Sequence, residues 1–403
     1  MKINALNVFA YKNYDYFFVG QIISRLGTWM QRTAVLWVVY MLTNSIFMVG
    51  VATFAEQSPS FVLSPLGGIV ADRYDRNKVV IVTQIISAIQ ALLLTLTYFS
   101  GSHNIWFILF LSLILGIVNA FDIPARQAMV NELVPLKEML PSAIAMNSSL
   151  NNCSRLAGPA VAAIMLAKYG ATACFASNFV SFLAVIFCLF KIEIPSFEKT
   201  SKKKNGWSNF YDGISYVKSK PEIATILLLS ALISLLVATY NTLQPYFAHD
   251  IFSGNAATYG YINASTGLGA LISSFVVASQ KNCDNLKRLL FINLLLLGVG
   301  LCILSFVHSL GLYLLVCMFC GFGIMSINPI ANTIVQTASS KEMRGRVIGF
   351  FAMATMGSLP LGSMFIGWLA KIIGPETCQL TQGIVCLIIG FAFIPFLLIR
   401  ESK

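Results

Sequence analysis

Long apolar runs alternate with short polar breaks along almost the whole chain. About 20 apolar residues, at about 1.5 Å per residue, cross a hydrocarbon core about 30 Å thick, and the runs are that long. Pro, Gly, Asn and charged residues in the breaks place helices at about 15–42, 45–70, 79–99, 104–130, 141–168, 172–192, 221–247, 256–279, 286–308, 311–336, 344–373 and 378–399. One polar stretch is longer, 193–220, with the run Lys202-Lys203-Lys204. It reads as a solvated linker between a six-helix bundle at 1–192 and a second at 221–403. Within it, 207–217 has the pattern of an amphipathic helix lying on an anionic leaflet. The fold class expected is therefore an all-α membrane protein with twelve transmembrane helices in two bundles.

The two halves repeat. Gly116 and Pro124 match Gly321 and Pro329 at an offset of 205. Lys137-Glu138-Met139 matches Lys341-Glu342-Met343 at 204, and Gly158 and Gly170 match Gly362 and Gly374.

Composition agrees with a membrane protein. The 403 residues are 57% hydrophobic and 11% charged, whereas a soluble domain carries about 25% charged residues. A net charge of +11 would suggest nucleic acid in a soluble chain. Here its distribution explains it, and no nucleic-acid partner is expected. Twenty-two of the 27 Lys and Arg fall in the N-terminal lead, the even-numbered turns, the linker and the C-terminal tail, among them Arg73, Arg76, Lys78, Arg126, Arg344 and Arg346. The opposite side has only Lys168 and Lys371. Positive loops stay inside, so both termini and the linker are expected in the cytoplasm. The first apolar segment carries two arginines and no cleavage site, so it is expected to remain as helix 1.

Several chemistries are absent. The nine cysteines have no metal spacing, and Cys317 and Cys320 sit within an apolar helix, so neither a metal nor a disulfide framework is expected. No Gly-x-x-x-x-Gly-Lys-Ser/Thr occurs, which excludes an ATP-driven pump. No nucleophile–base pair is apparent, so neither an enzyme nor a cofactor is expected.

The charged hinge between the second and third helices reads Gly68-x-x-x-Asp72-Arg73-x-x-Arg76-x-Lys78. It resembles the signature loop of the major facilitator superfamily, with Asp75 where that signature usually has Gly. Three further stretches resemble the enterobactin-exporter-like efflux branch: Asp122-Ile-Pro-Ala-Arg126-Gln127, Arg155-x-x-Gly158-Pro159 and Arg344-Gly345-Arg346-Val347. The resemblance spans most of the chain. It implies two parallel six-helix halves holding a substrate between them near the midplane, and export as the direction of transport. It also implies an inner gate of Gly68, Asp72, Arg73 and Arg76, with Asp72 near residues 341–346. In relatives an acid at the inner end of helix 4 meets the motif arginine; Asp122 or Glu132 is that acid here. Asp122 and Arg126, four apart, are expected to pair within the helix or to join the gate.

Ionisable residues inside a bilayer cost several kcal/mol, so each is a candidate for function. On helix 1, Gln21, Arg25, Thr28 and Arg32 fall on one face about 60° wide at about 100° per residue. Such a face looks into a cavity or a protein interior. Glu56 on helix 2 reaches a depth similar to Arg25. It serves either as a counter-ion for Arg25 or Arg32, or as a proton carrier loaded and released as an arginine moves. On helix 5, Asn147, Asn151, Ser154 and Gly158 form a second stripe flanked by Arg155. Asn147, Asn151 and Arg155 are pathway candidates; small and amide residues also serve helix packing. The second half has no mid-membrane charge. Tyr240, Gln244, Asn328 and Asn332 are its pathway candidates, with Met353, Met356 and Met364 suited to bulky ligands or to ordinary packing. His249 and Asp250 read as outer-loop residues.

Arg25, Arg32 and Arg155 against Glu56 leave an excess of positive charge in the first half. The expectation is a monomeric, proton-coupled exporter in a bacterial inner membrane. Its ligand is a small anionic molecule such as a siderophore, or an amphipathic metabolite. A broad drug efflux pump is the alternative, and a non-transporting sensor or scaffold on the same fold a second.

Overall fold

The computed structural model describes residues 8, 9, 11–134, 137–192, 206–279 and 283–398. The described residues form helices: α1 Lys12–Thr43, α2 Ile46–Arg73, α3 Arg76–Phe99, α4 Ile105–Leu133, α5 Leu140–Phe190, α6 Gly206–Ser219, α7 Pro221–Ile251, α8 Ala256–Ser279, α9 Cys283–Leu304, α10 Leu310–Ala338, α11 Arg344–Ile373, α12 Pro375–Ala392 and α13 Ile394–Leu398. Among the described residues, nine of these are long and apolar enough to cross a membrane. One of the nine is α5, where Gly170 (φ 75°, ψ 179°) interrupts two helical arms. Outside the nine lie α1, with Arg25 and Arg32 in its middle, and α12, with Glu376, Gln379 and Gln382.

Local chemistry starts and stops the helices. The Asn104 side chain accepts from the backbone N–H groups of Trp106 and Phe107 at the start of α4 (3.0 and 3.4 Å). Asp75 does the same for α3, accepting from Asn77 and Lys78 (3.0 and 3.4 Å). An Asp N-cap satisfies donors that an α-helix leaves open. Asp75 has φ −57° and ψ 116°, so no glycine is required there. The departure from the superfamily signature therefore supplies a cap.

Contacts divide the chain into two compact units, 1–44 with 55–201, and 45–54 with 202–403. In the first, a core of Tyr14, Phe17, Val80, Met129, Leu133 and Leu189 holds one end of the bundle together, and the Tyr14 hydroxyl donates to Ala143 O (3.1 Å). Two helix crossings are closer than any side chain would allow. A Cβ on Gly67 would strike the carbonyl of Ala120, and one on Gly116 the carbonyl of Glu56. Gly68, by contrast, faces nothing within 4 Å. Of the two neighbouring hinge glycines, Gly67 is the one at a close backbone approach.

The second unit repeats these local devices. A Cβ on Gly321 would strike Thr266 O, as one on Gly116 strikes Glu56 O. Gly374 (φ 85°) separates α11 from α12 as Gly170 interrupts α5. The thiol of Cys378 points to Ile366 O (3.7 Å) and that of Cys174 to Ala162 O (3.9 Å), again at an offset of 204. The second unit differs in its winding. Helix α7 tightens to a 3₁₀ stretch at Ala238–Leu243 and loosens to a π turn at Phe247–Ile251. A second π turn in α11 spans Met353–Gly357. The π turn of α7 contains His249 and Asp250, which the hydrophobic pattern had put in a loop. The linker helix α6 packs on the start of α11: Arg346 reaches Asp212 (3.4 Å), Ser340 N donates to the Tyr216 hydroxyl (3.0 Å), and Gly213 faces the Phe350 ring. The lysine run lies outside the described residues.

Candidate functional site

The polar face of α1 splits between two sets of partners. Toward one end, Arg32 Nε lies 3.4 Å from Glu56 Oε2. The Arg32 guanidinium also sits 5.2 Å from the centroid of Trp29, and that of Arg155, from α5, sits 5.5 Å from the same ring. Gly158 allows this, since its Cβ would meet the Trp29 side chain. Thr28 spends its hydroxyl on Ser24 O, one turn back (2.9 Å).

Three residues nearer the N-terminus of α1, the partners change. Arg25 donates from Nε to Gln21 Oε1 (3.2 Å) and from Nη2 to Asn147 Oδ1 (3.0 Å). Both are neutral amides, and Arg25 makes no ion pair with another described residue. Gln21 Oε1 also accepts from Arg126 Nη1. The other Arg126 terminal nitrogen, Nη2, meets Asp122 Oδ2 at 2.5 Å. Asp122 Oδ1 accepts from the Thr83 hydroxyl (2.7 Å) and Gln84 Nε2 (3.0 Å) of α3. Four helices thus contribute to one network.

Asp122 and Arg126 were expected at the inner end of helix 4, with Arg126 among the loop charges. They are instead 5% and 8% exposed. At about 1.5 Å per residue, Asp122 stands about 16 Å from the Leu133 end of α4. Neither joins the signature loop. The acid that meets the motif arginine is Glu132, whose Oε1 lies 2.5 Å from Arg76 Nη1. Arg76 also closes α2 by donating to Ala71 O (3.2 Å). Asp72 and Arg73 are exposed, and Asp72 makes no ion pair with another described residue.

The remaining candidates are dispersed. Asn151 and Arg155 are exposed, as is Asn328, while Asn332 is half-buried. Tyr240 and Gln244 are buried, and Gln244 Nε2 donates to Asn241 Oδ1 (3.0 Å) within α7. Met353 and Met356 are exposed.

Sequence reasoning missed a second polar layer. Gln31 donates to Gln90 Oε1 (3.1 Å) and accepts from Asn178 Nδ2 (2.8 Å), joining α1, α3 and the far arm of α5. The signal was present in helix 3: Thr83, Ser87 and Gln90 lie four and three apart, with Gln84 beside Thr83, in a largely apolar run, and all are buried.

Helices crossing through small residues around a charged interior define a membrane carrier. The fold is shared with a solved bacterial homologue of the human lysosomal transporter Spinster (TM-score 0.73, 13% identity, 96% of this chain and 97% of that one). It is also shared with the nucleoside transporter NupG (TM-score 0.73, 14% identity, 96% and 100%). This is the major facilitator fold. Within it, the family described as transmembrane secretion effector matches residues 3–403, and the chain belongs to that family. Among its relatives is the staphyloferrin A transporter of Staphylococcus aureus, 26% identical over 94% of this chain and 95% of that protein. The macrolide efflux protein A of Streptococcus pyogenes is 23% identical over 92% and 93%. The enterobactin exporter EntS of Escherichia coli O1:K1 is 24% identical over 93% and 89%. The chain is a multi-pass membrane transporter, not an enzyme.

Proposed function

We propose that the chain is a proton-coupled exporter of a small organic anion, of siderophore or amphipathic-metabolite type. It works as a monomer in a bacterial inner membrane, with twelve crossings and both termini in the cytoplasm. One observation carries the substrate class. Arg25 is held by two neutral amides and has no carboxylate partner among the described residues, whereas Arg32 and Arg126 are each paired with an acid. A buried or half-buried cation is costly unless something neutralises it, and a ligand carboxylate does so only while bound. Siderophore transporters among the relatives support the reading. Coupling is assigned to Glu56, a carboxylate inside the first unit held by a single arginine. The inner gate is assigned to Asp72, Arg73 and Arg76, with Arg76 anchored on Glu132.

Broad drug efflux is the second reading. Macrolide efflux proteins are similar at 23% identity, and exposed Met353 and Met356 present adaptable apolar surface. Transport into inside-out vesicles separates the two. A carboxylated siderophore should be accumulated in preference to its neutral ester, and Arg25→Gln should remove most of that preference. Equal transport of acid and ester by the natural chain refutes the anion reading.

A further inference from the structure

Arg155 has no role in the proposal above, although it stands where a charge is most costly. It lies midway along the arm of α5 between Leu140 and Gly170, and it is exposed. A guanidinium at mid-bilayer depth faces a water-filled opening, since facing lipid costs several kcal/mol. Trp29 of α1 shows which side that is: the Arg155 guanidinium lies 5.5 Å from the centroid of its ring. Gly158 lets the two helices meet there, since a Cβ on it would strike the Trp29 Cβ. Trp29 is next to Thr28 and one turn past Arg25, so Arg155 belongs to the same α1–α5 wall as the polar face of α1. Arg25 touches α5 at Asn147 (3.0 Å), eight residues before Arg155. Eight residues rise about 12 Å and an arginine leans back toward the N-terminus of its helix, so the two guanidiniums stand about 10 Å apart. The charges of this interior do not balance. Away from the helix ends, α1, α2, α4 and this arm of α5 carry Arg25, Arg32, Arg126 and Arg155 against Glu56 and Asp122. Arg32 meets Glu56, and Arg126 meets Asp122. However the two acids are shared, two positive charges remain.

We infer that Arg25 and Arg155 are two anchors for one ligand, and that the ligand is an extended dianion whose anionic groups stand about 10 Å apart. The inference rests on the anionic-ligand reading and adds the number and spacing of the charges. A monoanion leaves one positive charge of the membrane interior unmatched, and a dianion matches both. A short dianion reaches one anchor only. Trp29 is a positioning residue. Its ring orients the Arg155 guanidinium without cancelling the charge, whereas the other guanidinium on that ring, Arg32 at 5.2 Å, is held by a carboxylate. The aromatic contact thus sets where the second anchor stands and leaves its charge to be met by the ligand.

The test measures equilibrium binding to the full chain in lipid nanodiscs, with empty nanodiscs subtracted, at one pH near neutrality where every carboxylate probe is ionised. The probes are biphenyl-4,4′-dicarboxylate, its monomethyl ester, its dimethyl ester and terephthalate. The biphenyl dianion spans the two anchors; terephthalate is about half as long between its carboxylates and does not. The natural chain should bind the biphenyl dianion about tenfold more tightly than the monoester or terephthalate, the worth of one further charged hydrogen bond. Arg25→Gln and Arg155→Gln should each lower the dianion to the level of the monoester, while the monoester itself changes little because either anchor can hold it. Trp29→Leu keeps the Cβ that packs on Gly158 and removes the ring. It should lose most of the preference for the dianion, and Trp29→Phe, which restores a ring, should regain it. All probes weakened alike in Trp29→Leu overturn the positioning role. Equal affinity of the natural chain for the biphenyl dianion and its monoester, or for the dianion and terephthalate, overturns the two-anchor site. So does an undiminished dianion preference in Arg155→Gln, an exposed position that decides the matter if Arg25→Gln does not fold. Equal affinity for the dianion and the dimethyl ester, or no saturable binding of any probe, overturns the anionic-ligand reading itself. Monoester bound better than dimethyl ester, with no gain for the dianion, overturns only the second anchor.

Discussion

Gly67 and Gly68 are neighbours in the signature hinge, and only one has a steric reason to be glycine. The perturbation is one methyl group at each position. On Gly67 the new Cβ would lie inside the carbonyl of Ala120, with the next backbone atoms of α4 also too close. Backbone cannot rotate away as a side-chain tip can, so α2 and α4 must separate. Overpacking of this kind costs about 1–3 kcal/mol. On Gly68 the methyl meets nothing within 4 Å, and the helical site gains up to about 1 kcal/mol from the better helix former. Gly67→Ala and Gly68→Ala should therefore differ by about 1–4 kcal/mol, with Gly67→Ala the less stable. Thermal unfolding of the two variants in one detergent, followed by fluorescence, measures the order. Gly67→Ala should melt several degrees below the natural protein and Gly68→Ala at or above it. Equal melting temperatures, or the reverse order, would refute the packing argument. Transport by Gly68→Ala then isolates any need for glycine in another state of the cycle, because its folded stability is not in question.

Two other outcomes follow from the first unit. Asp75→Ala removes the cap of α3 and should cost about 1 kcal/mol, while Asp75→Gly, which restores the usual signature, should cost only a few tenths; chemical unfolding of both variants checks the ranking. Glu56→Gln keeps shape and a hydrogen-bonding amide but cannot titrate, so it should bind ligand and exchange it between the two sides of vesicles, yet not accumulate it under an imposed pH difference. Uphill transport by that variant leaves Glu56 as the counter-ion of Arg32 only.

What could be read from the chain was what depends on spacing along one helix. The apolar runs, the polar face of α1 and the i, i+4 pair of Asp122 and Arg126 are all of that kind. What could not be read depends on which faces of different helices meet. Glu132 rather than Asp122 reaches Arg76 because the two acids, ten residues apart, differ by about 15 Å in depth along α4 and point about 80° apart around it. The sequence alone does not say which direction faces α2. Charge alone points Arg25 toward an acid, whereas its partners are the amides Gln21 and Asn147. Amides carry no charge that marks them in the sequence, and Thr83 and Gln84 sit in a helix whose run is otherwise mostly apolar. Helix 7 ran past its predicted end because its last turn loosens to π geometry around His249 and Asp250, a backbone change with no simple residue signature.

The internal repeat shows where chemistry was added to a shared scaffold. Small residues at helix crossings and breaks recur in both halves: Gly116 with Gly321, Gly158 with Gly362, Gly170 with Gly374, and Cys174 with Cys378. The charges within the helices do not. At the same offset of 205, Asp122 and Arg126 correspond to Ile327 and Ala331, and at 204 Arg155 corresponds to Leu359. Gly116 crosses α2 at Glu56, and its equivalent Gly321 crosses α8 at Thr266, whose hydroxyl is spent on Ile262 O of its own helix (3.1 Å). Crossing geometry is thus preserved while the charges at these positions of the first half have no counterpart in the second. Buried charge is tolerated only where it is used or matched. The proton and anion chemistry proposed above therefore draws on residues of the first half that have no charged counterpart at the matching positions of the second: Asp122, Arg126 and Arg155 stand where the second half has Ile327, Ala331 and Leu359.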